Sequence, residues 1–261
     1  MIDLHTHVLP GLDDGPASMD ASFVLARAAV AAGTTTMVAT PHIDYAFEVD
    51  PAEVAAVVER LRVELTGNNV DLTLLAGGEI ATTRLPELSD DELDLLRLGD
   101  GPYLLLETPH GIEQPGFDSY LFELRLQGVD MVLAHPERCP TFQRDPDGVE
   151  RLVGAGALSA VTASSLSGKF GRTVREVAFT LLERGLVHAL VSDAHDTRRR
   201  PPDLTSGFAA AEERIPGISA ELDWLVNDAP EAILSGQPLP PRPARPASDG
   251  RRRRSWWSRR R

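Results

Sequence analysis

The 261-residue chain is 42% apolar and 25% charged, has one cysteine, and carries a formal net charge of −13. Such a composition describes an ordinary globular protein large enough for one substantial core. It excludes a disulfide framework, and no stretch approaches the ~18 uninterrupted apolar residues of a spanning helix. The N-terminus has no basic segment leading into an apolar run, so a cytoplasmic location is expected. From Leu239 onward lie nine of the 26 basic residues and one of the 39 acidic ones, which leaves the rest of the chain at −21. A body that acidic is no surface for nucleic acid.

Taken in order, strand-like and helix-like stretches alternate. The first residues are apolar around Asp3 and read as a short buried strand ending in His5-Thr6-His7. Residues i and i+2 of a strand share a face, so both imidazoles aim at one spot. Gly11 and Gly15 then bracket a turn carrying Asp13 and Asp14. Residues 18–32 are alanine-rich and helical, closed by Gly33. Residues 34–40 (TTTMVAT) are β-branched and run into Pro41-His42, and Pro51 opens a helix to about residue 65. Residues 70–80 are expected as one strand ending in Gly77-Gly78-Glu79, before an acidic helix over 90–96.

Strand 103–107 follows, ending at Glu107 and trailed by Thr108-Pro109-His110. A helix over 117–127 leads to strand 130–134, which delivers His135-Pro136-Glu137-Arg138. Helix 149–155, a weaker strand over 158–163 and helix 172–184 come next. The last strand, 187–191, delivers Ser192-Asp193-Ala194-His195, and helical segments near 206–214, 219–227 and 230–234 finish the body. Seven β–α alternations with near-continuous apolar strands predict an α/β fold with a parallel sheet covered on both faces, and the count favours a closed barrel over residues 1–236.

Residues 237–261 are Pro-rich and then Arg-rich, cannot bury a core, and are expected to be disordered. Trp256-Trp257 sit among seven arginines, a composition suited to an anionic membrane surface, and equally to RNA or an acidic protein partner.

Six of the seven histidines lie at or just after the C-terminal end of an expected strand: His5, His7, His42, His110, His135 and His195. Only His188, inside the last strand, reads as a packed core residue. Glu79, Glu107 and Asp193 share those strand ends, and in a barrel all of them converge on one mouth. So many imidazoles and carboxylates exceed the needs of one tetrahedral ion; two or three are expected, with Glu79 as the bridging carboxylate. The absence of thiolate among them points to Mn, Fe or Zn in a catalytic site. Paired ions clamp the attacking and leaving oxygens of a displacement, with a metal-bound hydroxide as nucleophile. Arg138, three residues after His135, and Arg200, five after His195, offer guanidinium forks that match a phosphoryl group. The expected chemistry is hydrolysis of a phosphoester.

The stretch DLHTHVLPGLDDGP, the strand ends TPH, GGEI, LLLETP, AHPERC and SDAH, and the following RRRPP together resemble the polymerase and histidinol phosphatase (PHP) superfamily. Within it they are most similar to the bacterial CpsB/CapC-type protein-tyrosine phosphatases, across residues 1–236. The resemblance implies a distorted (β/α)7 barrel with a trinuclear, usually manganese-dependent site. Its substrate would be the phosphotyrosine tail of a membrane-associated tyrosine autokinase in capsule or exopolysaccharide synthesis, which would put the protein at the inner face of the membrane. Position by position it implies His5, His7, His42, Glu79, Glu107, His135, Asp193 and His195 as ligands, with Arg138 and Arg200 on the phosphoryl group. Asp14 is expected to assist as proton donor to the leaving tyrosine. The alternatives are another phosphoesterase with the same metals, such as a histidinol-phosphate phosphatase, or a non-enzymatic metal-binding scaffold.

Two residues depart from the family pattern: His110 is an additional imidazole beside Glu107, and position 139 is Cys. A cysteine-based mechanism needs Cys-x5-Arg in a glycine-rich loop. Here Arg144 comes one residue too early and Pro140-Thr141-Phe142-Gln143 holds no glycine, so the thiol route is not expected.

Overall fold

The computed structural model describes residues 1–111 and 113–246. Its strands are β1 (Ile2–Thr6), β2 (Thr36–Ala39), β3 (His42–Ile43), β4 (Thr73–Ala76), β5 (Glu79–Ala81), β6 (Leu104–Glu107), β7 (Met131–Ala134), β8 (Leu158–Thr162) and β9 (Ala189–Val191). They pair in parallel in the orders β1-β2-β4 and β3-β5-β6-β7-β8-β9. β2 and β3 are halves of one strand interrupted at Thr40-Pro41, and β4 and β5 halves of another interrupted at Gly77-Gly78. The segments therefore make seven staves. β9 closes onto β1, with Asp193 N–H donating to His5 O (3.0 Å) and His7 N–H to Ala194 O (2.8 Å). The result is the expected distorted (β/α)7 barrel.

The distortion has a local cause, and it breaks the single strand expected over 70–80. Residues 96–99 wedge in beside β4: Gly78 N–H donates to Leu96 O (3.1 Å), and Arg97 bridges Leu104 antiparallel. A Cβ on Gly78 would fall 2.6 Å from Leu96 Cδ2. A side chain there would have to push Leu96 aside.

The helices follow from their caps and stripes. In α1 (Met19–Ala31) the Ser18 side chain accepts from Ala21 N–H. α2 (Pro51–Gly67) starts with proline after Asp50, which accepts from Ala52 N–H, and buries Val54, Val57, Val58, Leu61 and Leu65 along one stripe. A Ser89–Glu92 capping box opens α3 (Asp90–Leu95). Then come α4 (Phe117–Leu126), α5 (Pro140–Arg144), α6 (Asp147–Gly154), α7 (Ala163–Leu166) and α8 (Arg172–Glu183), followed by α9 (Phe208–Arg214), α10 (Ser219–Asp223) and α11 (Ala229–Ser235). Among the described residues no helix is long and apolar enough to cross a membrane.

Inside the barrel, Leu4, Val38, Leu105, Val132, Ala160 and Val191 pack together with Ile233 and Leu234 of α11. α11 therefore plugs the interior from the end at which the strands begin. The side chain of His188 is buried near Trp224, its Nδ1 accepting from Ser159 N–H (3.2 Å), in keeping with a packed core histidine.

The expectation of disorder from residue 237 is corrected for residues 237–246, which are strapped to the body. Leu239 packs against the core, and Trp224 Nε1–H donates to Pro240 O (3.1 Å). Arg242 donates to Glu221 (2.7 Å) and to Gly185 O (2.7 Å), while Arg245 donates to Glu221 and to Glu183 O (2.9 Å). Composition missed this because the strap forms no core of its own. It borrows one, and its guanidinium groups satisfy a buried carboxylate and the free carbonyls at the end of α8. Trp256, Trp257 and the terminal arginines lie outside the described residues.

Candidate metal centre

Six of the seven staves deliver a side chain to one point. His5 lies in β1 and His7 just beyond it, His42 opens β3, Glu79 opens β5 and Glu107 ends β6; His135 follows β7, and Asp193 and His195 follow β9. In-register pairing of His42 with Glu79 sets those two side by side. His135 and Asp193 hold positive φ angles of 37° and 53°, a conformation unfavourable for residues with a Cβ that turns each side chain into the mouth.

The resulting spacings are short. Glu79 Oε2 lies 3.2 Å from His5 Nε2, 3.3 Å from His7 Nε2 and 3.2 Å from His42 Nδ1, while Glu79 Oε1 lies 2.7 Å from His135 Nε2. Asp193 Oδ1 lies 3.6 Å from His5 Nε2 and 3.5 Å from His7 Nε2. Asp14 Oδ1 lies 3.0 Å from His195 Nε2 and 3.6 Å from His42 Nε2. Four sets of potential ligand atoms, each within 4.8 Å, emerge: His5-His7-Asp193, His5-Glu79-His135, His42-Glu79-Glu107, and His7-Asp14-His42-His195. Glu79 belongs to two of them, as a bridging carboxylate would.

These residues fit divalent cations. Two donors about 2.1 Å from one ion sit roughly 3–3.5 Å apart, the spacing found here. Buried Glu79 Oε2 and Asp193 Oδ1 have no hydrogen-bond donor, and the Nε2 atoms of His5 and His7 face each other at 3.1 Å. Unpaired carboxylate oxygens and opposed imidazole nitrogens are costly without a shared cation.

Protonation follows the same crowding. Burial pushes the Glu107 carboxyl up, and Glu79 beside it adds to the rise, to about 8. For Glu79 burial acts upward too, but the adjacent His5 and His135 hold it well below the usual carboxylate range. At Asp193 burial is likewise outweighed by Arg138, His5, His7 and Arg200, which keep it well below that range. His7 loses charge to burial yet is held well above its ordinary value by Asp13, Asp193 and Glu79. Burial and Arg138 keep His135 neutral.

The arginines meet on Asp193. Arg138 Nη2 donates to Asp193 Oδ2 and to Thr162 Oγ1 (3.2 Å), and its guanidinium lies 4.7 Å from the Phe170 ring centre. Arg200 Nη2 pairs with the same Oδ2, and its Nη1 lies 2.8 Å from His195 Nε2. Both Nε groups are buried without a partner.

His110 is close by, its ring 4.6 Å from that of His135, yet it joins none of the ligand sets. Burial and Arg138 lower its pKa to about 4. Cys139 is fully buried with its thiol pushed up, no nucleophile.

Several supporting residues went unassigned in the sequence. Asp13 Oδ2 lies 2.6 Å from His7 Nδ1 and accepts from His42 N–H (3.1 Å), so it orients two candidate ligands at once. Asp3, raised to about 6 by burial, accepts from Ser192 N–H (3.1 Å) and ties β9 to β1. Glu137 accepts from Thr162 N–H (3.1 Å) and Ser165 Oγ–H (2.7 Å), fixing the loop that carries Arg138. A buried acid next to a histidine run was the available signal for the first two; nothing local marks Glu137.

Comparison with known proteins identifies relatives of the whole barrel. The family model for capsular polysaccharide synthesis proteins CpsB/CapC matches residues 1–235. Tyrosine-protein phosphatase YwqE of Bacillus subtilis is 32% identical over 94% of this chain and 97% of its own length. The putative tyrosine-protein phosphatase CapC of Staphylococcus aureus is 33% identical over 77% and 79%. Among solved structures, work on YwqE and CpsB of Streptococcus pneumoniae, described as unique metal-dependent tyrosine phosphatases, includes a chain that superposes with a TM-score of 0.79 at 33% identity, covering 94% of this chain and 99% of that one. The phosphotriesterase homology protein of Escherichia coli superposes at 0.53 with 11% identity, a likeness of fold alone.

Proposed function

The chain belongs to the capsular polysaccharide synthesis CpsB/CapC family, and on that premise we propose that it is a metal-dependent protein-tyrosine phosphatase, a phosphoric monoester hydrolase. The observation that carries the reading is the joint hold of Arg138 and Arg200 on Asp193, which sets two guanidinium groups at the edge of the ligand cluster. His5, His7, His42, Glu79, Glu107, His135, Asp193 and His195 would hold the ions. Bound ions supply positive charge for the phosphoryl oxygens and acidify a water. Arg138 and Arg200 grip the remaining phosphoryl oxygens and offset the charge that grows on them, and the buried walls strengthen that attraction.

For Asp14 the geometry favours a role other than the proton donor expected from sequence. Its carboxyl shares a ligand set with His42 and His195, and in the metal-free site the contact with His195 lowers its pKa to about 2. We assign it as a further ligand.

Manganese is the proposed ion, since imidazole and carboxylate without thiolate suit it; iron and zinc share those preferences. The proposed substrate is the phosphotyrosine tail of a membrane-associated tyrosine autokinase, with the Arg/Trp run of residues 251–261 contacting anionic lipid. Phosphate release from a phosphotyrosyl peptide, compared with histidinol phosphate, with manganese and after chelation, tests the activity. A clear preference for histidinol phosphate, or turnover that survives complete chelation, refutes it. Unchanged vesicle co-sedimentation on deleting residues 247–261 refutes the lipid contact.

A further inference from the structure

The rim of the metal centre carries aromatic side chains that the ligand set and the two arginines leave unused. Among the described residues the exposed aromatic side chains are Tyr45 (56%), Phe47 (38%) and Phe122 (38%). Tyr45 and Phe47 both lie in the loop that leaves β3, a few residues after His42. The Phe47 ring stacks on the His42 imidazole, centres 5.6 Å apart and planes within 9°. One aromatic surface thus begins at a metal-binding imidazole and extends outward into solvent.

This loop is held in place rather than left to swing. Asp44 Oδ1 accepts from Ala46 N–H (2.8 Å) and Phe47 N–H (3.0 Å), which fixes the backbone bearing the ring. From outside, the Tyr45 hydroxyl donates to Glu87, and the Arg84 guanidinium lies 4.9 Å from the Tyr45 ring centre. An apolar ring kept at the edge of so polar a site is suited to a ligand with an apolar ring of its own.

Phosphotyrosine has that shape. Its aromatic ring is bonded directly to the ester oxygen, so a phosphate seated among the ligands carries the ring to the rim, whereas phosphoserine or a sugar phosphate brings none. We propose that Phe47 is a specificity-determining residue that stacks on the aromatic ring of aryl phosphates. This rests on the phosphatase reading and names the feature that selects the leaving group. Stacked ring pairs are worth about 3- to 10-fold in an equilibrium or rate constant.

The test uses the full manganese-loaded chain and its Phe47→Ala, Phe47→Leu and Phe47→Tyr variants. It measures kcat/KM on phenyl phosphate and on a simple alkyl phosphate, together with the affinities of phenylphosphonate and methylphosphonate by calorimetry. Phe47→Ala and Phe47→Leu should lose about 3- to 10-fold on both phenyl compounds and nothing on the alkyl ones, and Phe47→Tyr should keep both. An equal fall on aryl and alkyl compounds would mean that Phe47 merely shields His42, and would overturn the proposal. So would an unchanged aryl preference in Phe47→Ala. A wild-type protein that hydrolyses neither ester would remove the phosphatase reading, and the phosphonate affinities would still decide for or against Phe47.

Discussion

Asp193 is a buried carboxylate whose Oδ2 is shared by two guanidinium groups, and that sharing predicts a non-additive stability. Arg138→Ala removes one guanidinium but leaves Arg200 on Asp193, and Arg200→Ala leaves Arg138. Each single change should cost the metal-free protein about 1.5–3 kcal/mol, the worth of a hydrogen bond to a charged group. The double variant strands a carboxylate that is 1% exposed, so its loss should exceed the sum of the singles by about 1–3 kcal/mol. The arginines depress the Asp193 pKa, and without them burial pushes it upward, so the native double variant gains a proton at a pH where wild type does not. Without them Asp193 can take up a proton, so the gap between wild type and double variant should narrow as pH drops from 7 toward 4. Urea unfolding of the four chelated proteins at both pH values measures this. Strict additivity, or a gap that is the same at both pH values, would show that Asp193 does not depend on the pair. With metal restored, each single variant should also lose roughly 10²–10³-fold in kcat, as other donors to a developing oxyanion do.

Asp14→Asn should lower the bound manganese per chain, read by elemental analysis; unchanged metal content with slower release of poor leaving groups would restore the proton-donor role. Cys139→Ser should leave turnover within about twofold, since the thiol is buried and away from the ligand sets; loss of turnover at full metal content would revive a thiol mechanism. Metal binding should release protons below about pH 8, because Glu107 is held protonated up to about that pH in the metal-free site. Calorimetry in buffers of different ionisation enthalpy would show this, and identical heats across buffers would contradict it. Glu221→Ala should destabilise by about 3 kcal/mol through the two arginines left without their carboxylate; a melting temperature matching wild type would mean that the strap is not anchored there.

Much of the site was legible because its order is local. His5 and His7 declare a shared face by their spacing of two, and each remaining ligand stands next to an apolar run that reads as a strand. A barrel then brings the strand ends together. Asp14 was visible as a residue, but the ligand role proposed for it was not, because that proposal rests on its distance to His195 and His42, set by a turn folding back across the mouth. The break at Gly77-Gly78 depends on Leu96, eighteen residues onward, and appears in no periodicity. Arg242 and Arg245 looked like tail charge because their partners, Glu221 and the carbonyls ending α8, are fixed by tertiary packing. Phe47 carried no signal either: an aromatic in a polar loop gains meaning only from the imidazole it stacks on.

The strap also gives the barrel a polarity. Its clamps, Glu221 and the carbonyls of Glu183 and Gly185, sit just before β9 begins, whereas the ligands stand where β9 ends. The strap is therefore held at the closed end of the barrel, behind the mouth, and leaves the strand ends that carry the candidate ligands clear.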